Sequence, residues 1–160
     1  MRVMTCPRAV LVTGMSGVGK STVLAELARR GFATVDTDDG GWIDVVDGEP
    51  LWREPLIQGL LNRPREGPLI VQGTVANQGR FYDRFDAIVL LSAPVDVVLR
   101  RIADRTNNSF GKTVEERSKI LADIAEVESL LRQAATHEIR TDRPLSEVVD
   151  TVADIACGAA

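Results

Sequence analysis

The sequence has little cysteine, little histidine and no hydrophobic run long enough to cross a membrane. Of its 160 residues, two are cysteines and one is a histidine. Cys6 and Cys157 lie near opposite ends of the chain without a C-x-x-C spacing, so neither a zinc site nor a disulfide framework is indicated. This cysteine usage is typical of a reducing cytoplasm, where we expect the protein. We also expect it to be soluble and unprocessed, with no membrane partner.

An excess of positive charge is also missing. Nineteen Lys and Arg residues stand against 23 Asp and Glu residues, which gives a net charge of −4, and the basic residues are dispersed. This distribution argues against nucleic acid as the principal partner. Repeats and low-complexity tracts are absent from the sequence, and its length suits one domain with a proper core. We therefore predict a single domain over residues 1–160, and a monomer with a dimer as the alternative.

Short apolar runs alternate with amphipathic stretches along the chain. Strands are predicted near residues 9–12, 32–35, 68–72, 86–91 and 137–141. Strands that alternate with helices form parallel sheets with right-handed crossovers. The expected fold class is therefore α/β, a three-layer sandwich with a parallel sheet of about five strands.

Apolar stripes and capping residues indicate the helices between these strands. One helix is predicted from about Glu54 to Leu61 with Leu56 on its buried side. Thr113 and Glu116 form a capping box that opens a long helix, and the buried stripe of this helix is predicted to include Leu121 and Leu130.

A glycine-rich motif, G-x-x-x-x-G-K-S, follows the first predicted strand and leads into the first helix. Glycines let the backbone turn tightly and direct N–H groups at an anion, where Lys20 adds a point charge and the Ser21 hydroxyl can bind Mg²⁺. The motif predicts a P-loop fold that binds a nucleoside triphosphate. Its nucleotide-binding residues are Gly14, Ser16, Gly17, Val18, Gly19, Lys20, Ser21 and Thr22.

The phosphate loop alone does not decide the reaction, because GTPases, motor ATPases and kinases share it. A switch GTPase needs an N-K-x-D motif, which the sequence lacks. A motor ATPase normally has an acidic residue at the end of the third strand, where this chain has Gln72. Both classes are thereby disfavoured.

Four features together resemble the small P-loop kinases, a family that includes shikimate kinase, gluconate kinase and the nucleoside monophosphate kinases. They are the phosphate loop, Asp36-Thr37-Asp38 after the second strand, Arg100 to Arg105 before a polar glycine-containing loop, and Thr141 to Ser146 after the last strand. The resemblance covers nearly the full length. It implies a nucleotide kinase-like fold, with ATP and Mg²⁺ as cofactors and a lid at about residues 105–113.

The resemblance also implies roles for residues outside the phosphate loop. Arg101 and Arg105 lie one helical turn apart and are expected to reach the nucleotide phosphates, while Arg143 and Pro144 frame the base. The predicted catalytic residues are Lys20, Asp36 and Arg105, with Asp36 orienting or deprotonating the acceptor hydroxyl. The predicted metal site is formed by Ser21 and Asp38, and Asp38 is also an acceptor contact.

The sequence departs from shikimate kinases after the third strand, where that family has a run of glycines. Amide side chains stand there instead, and such groups read hydrogen-bond donors and acceptors of a ligand. Capping of the turn at residues 74–79 is the alternative role for them. The predicted acceptor-binding residues are Asp36, Asp38, Arg53, Gln72, Gly73, Asn77 and Gln78.

An acceptor-binding segment is expected at about residues 40–66. Arg53 could hold an acceptor phosphate there and Trp42 could stack on an aromatic acceptor, whereas Trp52 is expected to pack in a small core.

The function predicted from these residues is transfer of the γ-phosphoryl group of ATP to a hydroxyl or phosphate of a small molecule. A nucleoside or nucleotide acceptor is favoured, and a shikimate-like, gluconate-like or antibiotic hydroxyl is the alternative. The second class of function left open is a regulatory module that binds a nucleotide and has no transfer activity.

Overall fold

The computed structural model describes residues 8–15, 17–104 and 114–158, without the side chains of residues 102, 103, 116, 117, 120 and 123. Within these ranges the strands are β1 (Ala9–Thr13), β2 (Ala33–Asp36), β3 (Ile43–Val46), β4 (Glu49–Trp52), β5 (Leu69–Gln72), β6 (Ala87–Ser92) and β7 (His137–Arg140). The α-helices are α1 (Lys20–Arg29), α2 (Glu54–Asn62), α3 (Val95–Asp104), α4 (Val114–Asp123), α5 (Ser129–Ala134) and α6 (Leu145–Ala156). None of these helices combines the length and the apolar character that a membrane span requires.

Five parallel strands form the main sheet in the order β2-β5-β1-β6-β7. β5 and β6 follow one another along the chain but lie on opposite sides of β1, so the sheet has a topological switch next to β1. In open parallel sheets, ligands bind at the carboxyl ends of the strands beside such a switch. The predicted fold class is confirmed, and the sequence motifs that follow β1, β2 and β5 all lie at this edge.

Apolar side chains of β1 alternate between the two faces of the sheet. Val10 and Val12 belong to a core shared with α1 and α6, whereas Ala9 and Leu11 belong to a core shared with α2. All four are fully buried. Helices therefore cover both faces, which explains why these strands are continuous apolar runs in the sequence.

Residues 43–52, predicted as a polar segment leading to a helix, form the antiparallel hairpin β3–β4. Asp47 and Gly48 connect its strands, both with positive φ, 53° and 78°. An Asp-Gly pair is a preferred two-residue turn because it tolerates this conformation. The segment of about residues 40–66 thus contains a hairpin followed by α2. That it binds the acceptor stays a prediction.

A π-helical turn, Ile124–Glu128, joins α4 to α5. Such a turn adds a residue to the helical repeat and rotates the downstream residues relative to a regular helix. Leu130, predicted as buried, is 62% exposed, while Leu131 is buried. The prediction that Leu121 is buried is also wrong, since Leu121 is exposed. In α2, Leu56 was likewise predicted on the buried side and is 46% exposed.

The last strand is connected to the preceding helix by charged hydrogen bonds. The Arg132 guanidinium donates to both carboxylate oxygens of Glu138, and the Ser92 hydroxyl donates to the same carboxylate. The bond from Arg132 lowers the pKa of Glu138 most, and the bond from Ser92 lowers it further. These bonds position β7 and hence the loop after it.

Trp52 fixes the hairpin on the main sheet. Its indole Nε1 donates to Thr37 Oγ1 over 2.9 Å, and Thr37 Oγ1 donates in turn to the carbonyl oxygen of Gln72 over 2.8 Å. The ring packs edge-on to Phe81 with 6.0 Å between centroids. Trp52 is 2% exposed, as expected for a packing residue.

Gly73 lies directly beneath this tryptophan. A Cβ atom at this position would be 2.5 Å from Thr37 Oγ1 and 3.0 Å from the Trp52 ring. Any side chain would therefore displace the hairpin or break the Thr37 hydrogen bonds.

We expect Gly73→Ala to lower the free energy of unfolding by about 1–3 kcal/mol, because it overpacks this contact. Gly67→Ala is the matched control, since a Cβ there meets nothing within 4 Å, and its effect should stay within about 0.5 kcal/mol. Urea unfolding followed by tryptophan fluorescence measures both. Equal stabilities of the two variants would contradict the close packing.

Candidate functional site

The phosphate loop runs from the end of β1 to the start of α1. Gly14 has a φ of 151°, and a Cβ on it would be 2.5 Å from the carbonyl oxygen of Leu91 in β6. Gly19 is the N-cap residue of α1 and has no side chain that could cap the first turn. The N-terminus of α1 therefore remains available to an anion, as the motif predicts.

Lys20 lies across this loop. Its Nζ donates to the carbonyl oxygens of Gly14 and Met15, over 2.6 and 3.1 Å. It lines a cavity of about 230 Å³ together with Asp38, Thr74 and Val127. The ammonium group is thus held at the place where the phosphate loop faces a carboxylate.

Thr74, which the sequence did not single out, attaches the loop to the chain after β5. Its Oγ1 donates to the Gly14 carbonyl oxygen over 2.7 Å and accepts from the Gly14 N–H over 3.3 Å. It also shares a 3.1 Å hydrogen bond with the hydroxyl of Thr13. The sequence signal that could have identified Thr74 is its position, two residues beyond a buried strand and therefore at the ligand-binding edge of the sheet.

A larger cavity of about 470 Å³ opens on the other side of the loop, between α1, α3 and α6. Its volume is in the range of small-molecule sites. Arg143 lines it as predicted, whereas Pro144 is the N-cap residue of α6 and is not among the lining residues. The lining residues are Gly17, Val18, Gly19, Thr22, Val23, Arg101, Asp104, Thr141, Arg143, Leu145 and Val148.

Arg101 connects the two walls of this larger cavity. Nη1 donates to the carbonyl oxygens of Gly17 and Val18, over 3.2 and 3.1 Å, and to Thr141 Oγ1 over 3.2 Å. Nη2 donates to the Thr141 carbonyl oxygen over 2.9 Å. Its guanidinium thus holds the backbone of the phosphate loop. The predicted contact of Arg101 with the nucleotide phosphates stays a prediction.

The two predicted carboxylates follow β2 and are held by one amide. Gln72 Nε2 donates to Asp36 Oδ1 over 2.5 Å and to Asp38 Oδ2 over 3.1 Å. The Asp38 N–H also donates to Asp36 Oδ1, over 3.0 Å. Gln72 is fully buried, and in the described part of the chain its Oε1 has no hydrogen-bond partner. Carboxylates only accept, so this arrangement requires the Nε2 group to face them.

The carboxylates divide between two cavities. Asp38 shares the 230 Å³ cavity with Lys20, whereas Asp36 lines a cavity of about 490 Å³ with Ser21 and Trp42. Hydroxyl and carboxylate oxygens are the donors that Mg²⁺ prefers, so Ser21 and Asp36 fit a Mg²⁺ ion that accompanies a nucleotide. The roles predicted from the sequence are the other way round, with Asp38 as the metal ligand and Asp36 as the base, and that assignment stays a prediction.

Other predicted acceptor contacts are occupied within the fold. The Asn77 amide exchanges hydrogen bonds with the backbone N–H and C=O of Trp52, and the buried Gln78 amide bonds Val75, Thr13 and Tyr82. Gln78 thus caps the turn, as the alternative role had it, whereas the Asn77 side chain bonds the hairpin and does not cap the turn. Contact of either amide with an acceptor stays a prediction. Gly73 is a packing position, and Arg53 is half-exposed with Nη2 3.9 Å from Asp44 Oδ1.

Some predicted site residues lie outside the described residues. They are Ser16, Arg105 and the lid at about residues 105–113, which includes the capping residue Thr113.

Arg101→Lys should weaken binding of ATP with Mg²⁺ about 10-fold to 100-fold, because a lysine cannot reproduce the forked hydrogen bonds to the loop. Arg100→Lys is the control, since Arg100 is exposed and its Nη2 is 3.8 Å from Asp96 Oδ2. Isothermal titration calorimetry measures both affinities. Unchanged affinity in Arg101→Lys would exclude the positioning role.

Known proteins resemble this chain in sequence and in fold. A sequence model of the AAA domain family matches residues 10–122. Shikimate kinase from Rhodopseudomonas palustris is 30% identical, with 95% of this chain and 84% of that protein covered.

Solved structures show the same fold. Shikimate kinase from Acinetobacter baumannii in complex with shikimate has a TM-score of 0.67 at 18% identity, covering 94% of this chain and 93% of that one. The tunicamycin resistance protein of Deinococcus radiodurans has a TM-score of 0.64 at 18% identity, covering 94% and 95%. By its family match and its curated relative, the chain belongs to the small P-loop kinases, which are ATP-dependent phosphotransferases.

Proposed function

We propose that this protein transfers the γ-phosphoryl group of ATP to a hydroxyl group of a small molecule. The observation that carries the proposal is the cavity in which Lys20, at the phosphate loop, faces Asp38, at the end of the second strand. A kinase needs a cation beside the transferred group and a carboxylate beside the attacking hydroxyl. Both are provided within one cavity.

The larger cavity suits the nucleoside part of ATP. It lies between the phosphate loop and the start of α6, and its wall combines apolar Val23, Leu145 and Val148 with polar Thr141. The base and ribose would occupy it while the phosphates extend across the N-terminus of α1 towards Lys20. Arg101 would keep the loop in the shape that this path requires.

The carboxylates would have separate roles. Asp38 would accept a hydrogen bond from the acceptor hydroxyl and orient it towards the γ-phosphorus. Asp36 and Ser21 would hold Mg²⁺, directly or through water, and the ion would neutralise phosphate charge during transfer. Gln72 would keep both carboxylates in place through its bonded Nε2 group.

The acceptors to test first are nucleosides and nucleoside monophosphates, as the sequence favours. The relatives widen the set, since one is named a shikimate kinase and one solved structure a tunicamycin resistance protein. Hydroxylated metabolites and antibiotics therefore follow. The regulatory alternative has two supporting signs in the sequence, Gln72 at the end of the third strand and the missing run of glycines after it. The hydrogen bonds of Gln72 to both carboxylates favour catalysis over this alternative.

The test is a panel assay with ATP and Mg²⁺, in which ADP release and the phosphorylated product are both measured. Transfer to at least one panel member is expected. Lys20→Ala should reduce that transfer at least about 100-fold, because the charge beside the transferred group is lost. Tight binding of ATP without transfer to any compound would contradict the proposed function.

Asp38→Asn and Asp36→Asn should differ in their kinetic effects. Asp38→Asn should lower kcat about 100-fold or more while ATP affinity changes little, because the oriented hydroxyl is lost. Asp36→Asn should chiefly raise the Mg²⁺ concentration that gives half-maximal rate. Asp154→Asn serves as the control, since Asp154 is an exposed residue of α6 that lines neither of these two cavities. A larger kcat loss in Asp36→Asn at saturating Mg²⁺ would reverse the assignment.

A further inference from the structure

The cavity between Lys20 and Asp38 has two apolar side chains, Met15 and Val127, in its lining. Its described lining consists of Gly14, Met15, Lys20, Asp38, Thr74 and Val127. Lys20 is the cation of this set, and its place at the phosphate loop commits it to the nucleotide. The rest of the lining offers an acceptor one carboxylate, one hydroxyl and two apolar side chains.

Val127 reaches this cavity from the π-helical turn. The turn comprises Ile124–Glu128, and Val127 is half-buried within it. π-Helical turns are energetically poorer than α-helix and are frequent at functional sites. Here the turn places a branched apolar side chain opposite Lys20 and Asp38.

Three arginines that could have supplied a cation to this cavity interact with protein side chains elsewhere. Arg80 Nε lies 3.0 Å from Glu54 Oε2, and the Arg84 guanidinium donates to Asn62 Oδ1. Arg53 Nη2 lies 3.9 Å from Asp44 Oδ1, on the hairpin. Among the described residues, these three arginines are therefore not part of the cavity wall.

Asp38, the carboxylate of the cavity lining, makes the acceptor side of the cavity negative. Gln72 holds Asp36 beside Asp38, so two acidic groups lie within reach of one amide. An anionic group of an acceptor would be repelled by Asp38. Among the described lining residues the cation is Lys20, which the nucleotide engages, so the desolvation of that anionic group would not be offset. A neutral hydroxyl, in contrast, can donate to Asp38.

We propose that the acceptor is a neutral hydroxyl compound with an apolar face, rather than a carboxylate or phosphate. This inference rests on the proposed function. The hydroxyl oxygen uses a lone pair to form the new bond to the γ-phosphorus, and its proton passes to the Asp38 carboxylate. The bond from the γ-phosphorus to the bridging oxygen breaks, and that oxygen keeps the electron pair and leaves as part of ADP. The apolar face of the acceptor packs against Val127 and Met15.

Matched pairs of acceptors test the proposal with the full-length chain, ATP and Mg²⁺. Each pair shares one skeleton: a nucleoside and its 5′-monophosphate, methyl shikimate and shikimate, glucitol and gluconate. The neutral member of any pair that reacts should have a kcat/KM at least about 10-fold higher than the anionic member. Preference for the anionic members would overturn the inference and leave the kinase function standing. Absence of transfer to every compound would overturn both.

Val127→Arg provides a second test, because it places a cation in the cavity wall. We expect it to shift the ratio of kcat/KM between the paired compounds towards the anionic member at least about 10-fold. Leu130→Arg, on the same helical segment but 62% exposed, should leave the ratio unchanged. Thermal unfolding checks that both variants fold, and the wild-type comparison of the pairs stands without them. A folded Val127→Arg variant with an unchanged ratio would contradict the role of this wall.

Discussion

The close approach of the phosphate loop to β6 is the contact on which the rest of the site depends. Gly14 lies against the carbonyl oxygen of Leu91 with no room for a Cβ, and Thr74 bonds both its N–H and its C=O. Arg101 holds the far end of the loop at Gly17 and Val18. Backbone groups of the loop are thus fixed before any nucleotide arrives, so little conformational entropy remains to be lost on binding.

Gln72 performs a comparable function for the acidic residues. Two carboxylates near each other repel, and an unsupported pair would separate into solvent. The fully buried amide of Gln72 donates to both, so it compensates part of this repulsion through hydrogen bonds. The neutral amide also avoids adding a third negative charge beside the phosphates.

The features of the fold and the site that could be predicted from the sequence are those that depend on residues close together along the chain. The phosphate loop, the parallel sheet and the carboxylates after β2 follow from glycine spacing and apolar runs, which act over a few residues. The hairpin also has a local signal, the Asp47-Gly48 pair between apolar residues, although the polar character of the segment obscured it. The π-helical turn and the partners of Asn77, Gln78 and Arg101 had none, because they depend on which distant backbone groups the fold brings within hydrogen-bond reach.

Trp52 anchors the hairpin to the main sheet, because its indole is fixed between Thr37, Gly73 and Phe81. The exposed end of the hairpin, with Val45 at 66% and Val46 at 48% exposure, makes no part of either main core. A fixed base that carries an exposed tip tolerates change, because Val45 and Val46, unlike Ile43, pack on neither core. The tip of the hairpin can therefore change in length or sequence without disturbing the phosphate loop or the carboxylates after β2.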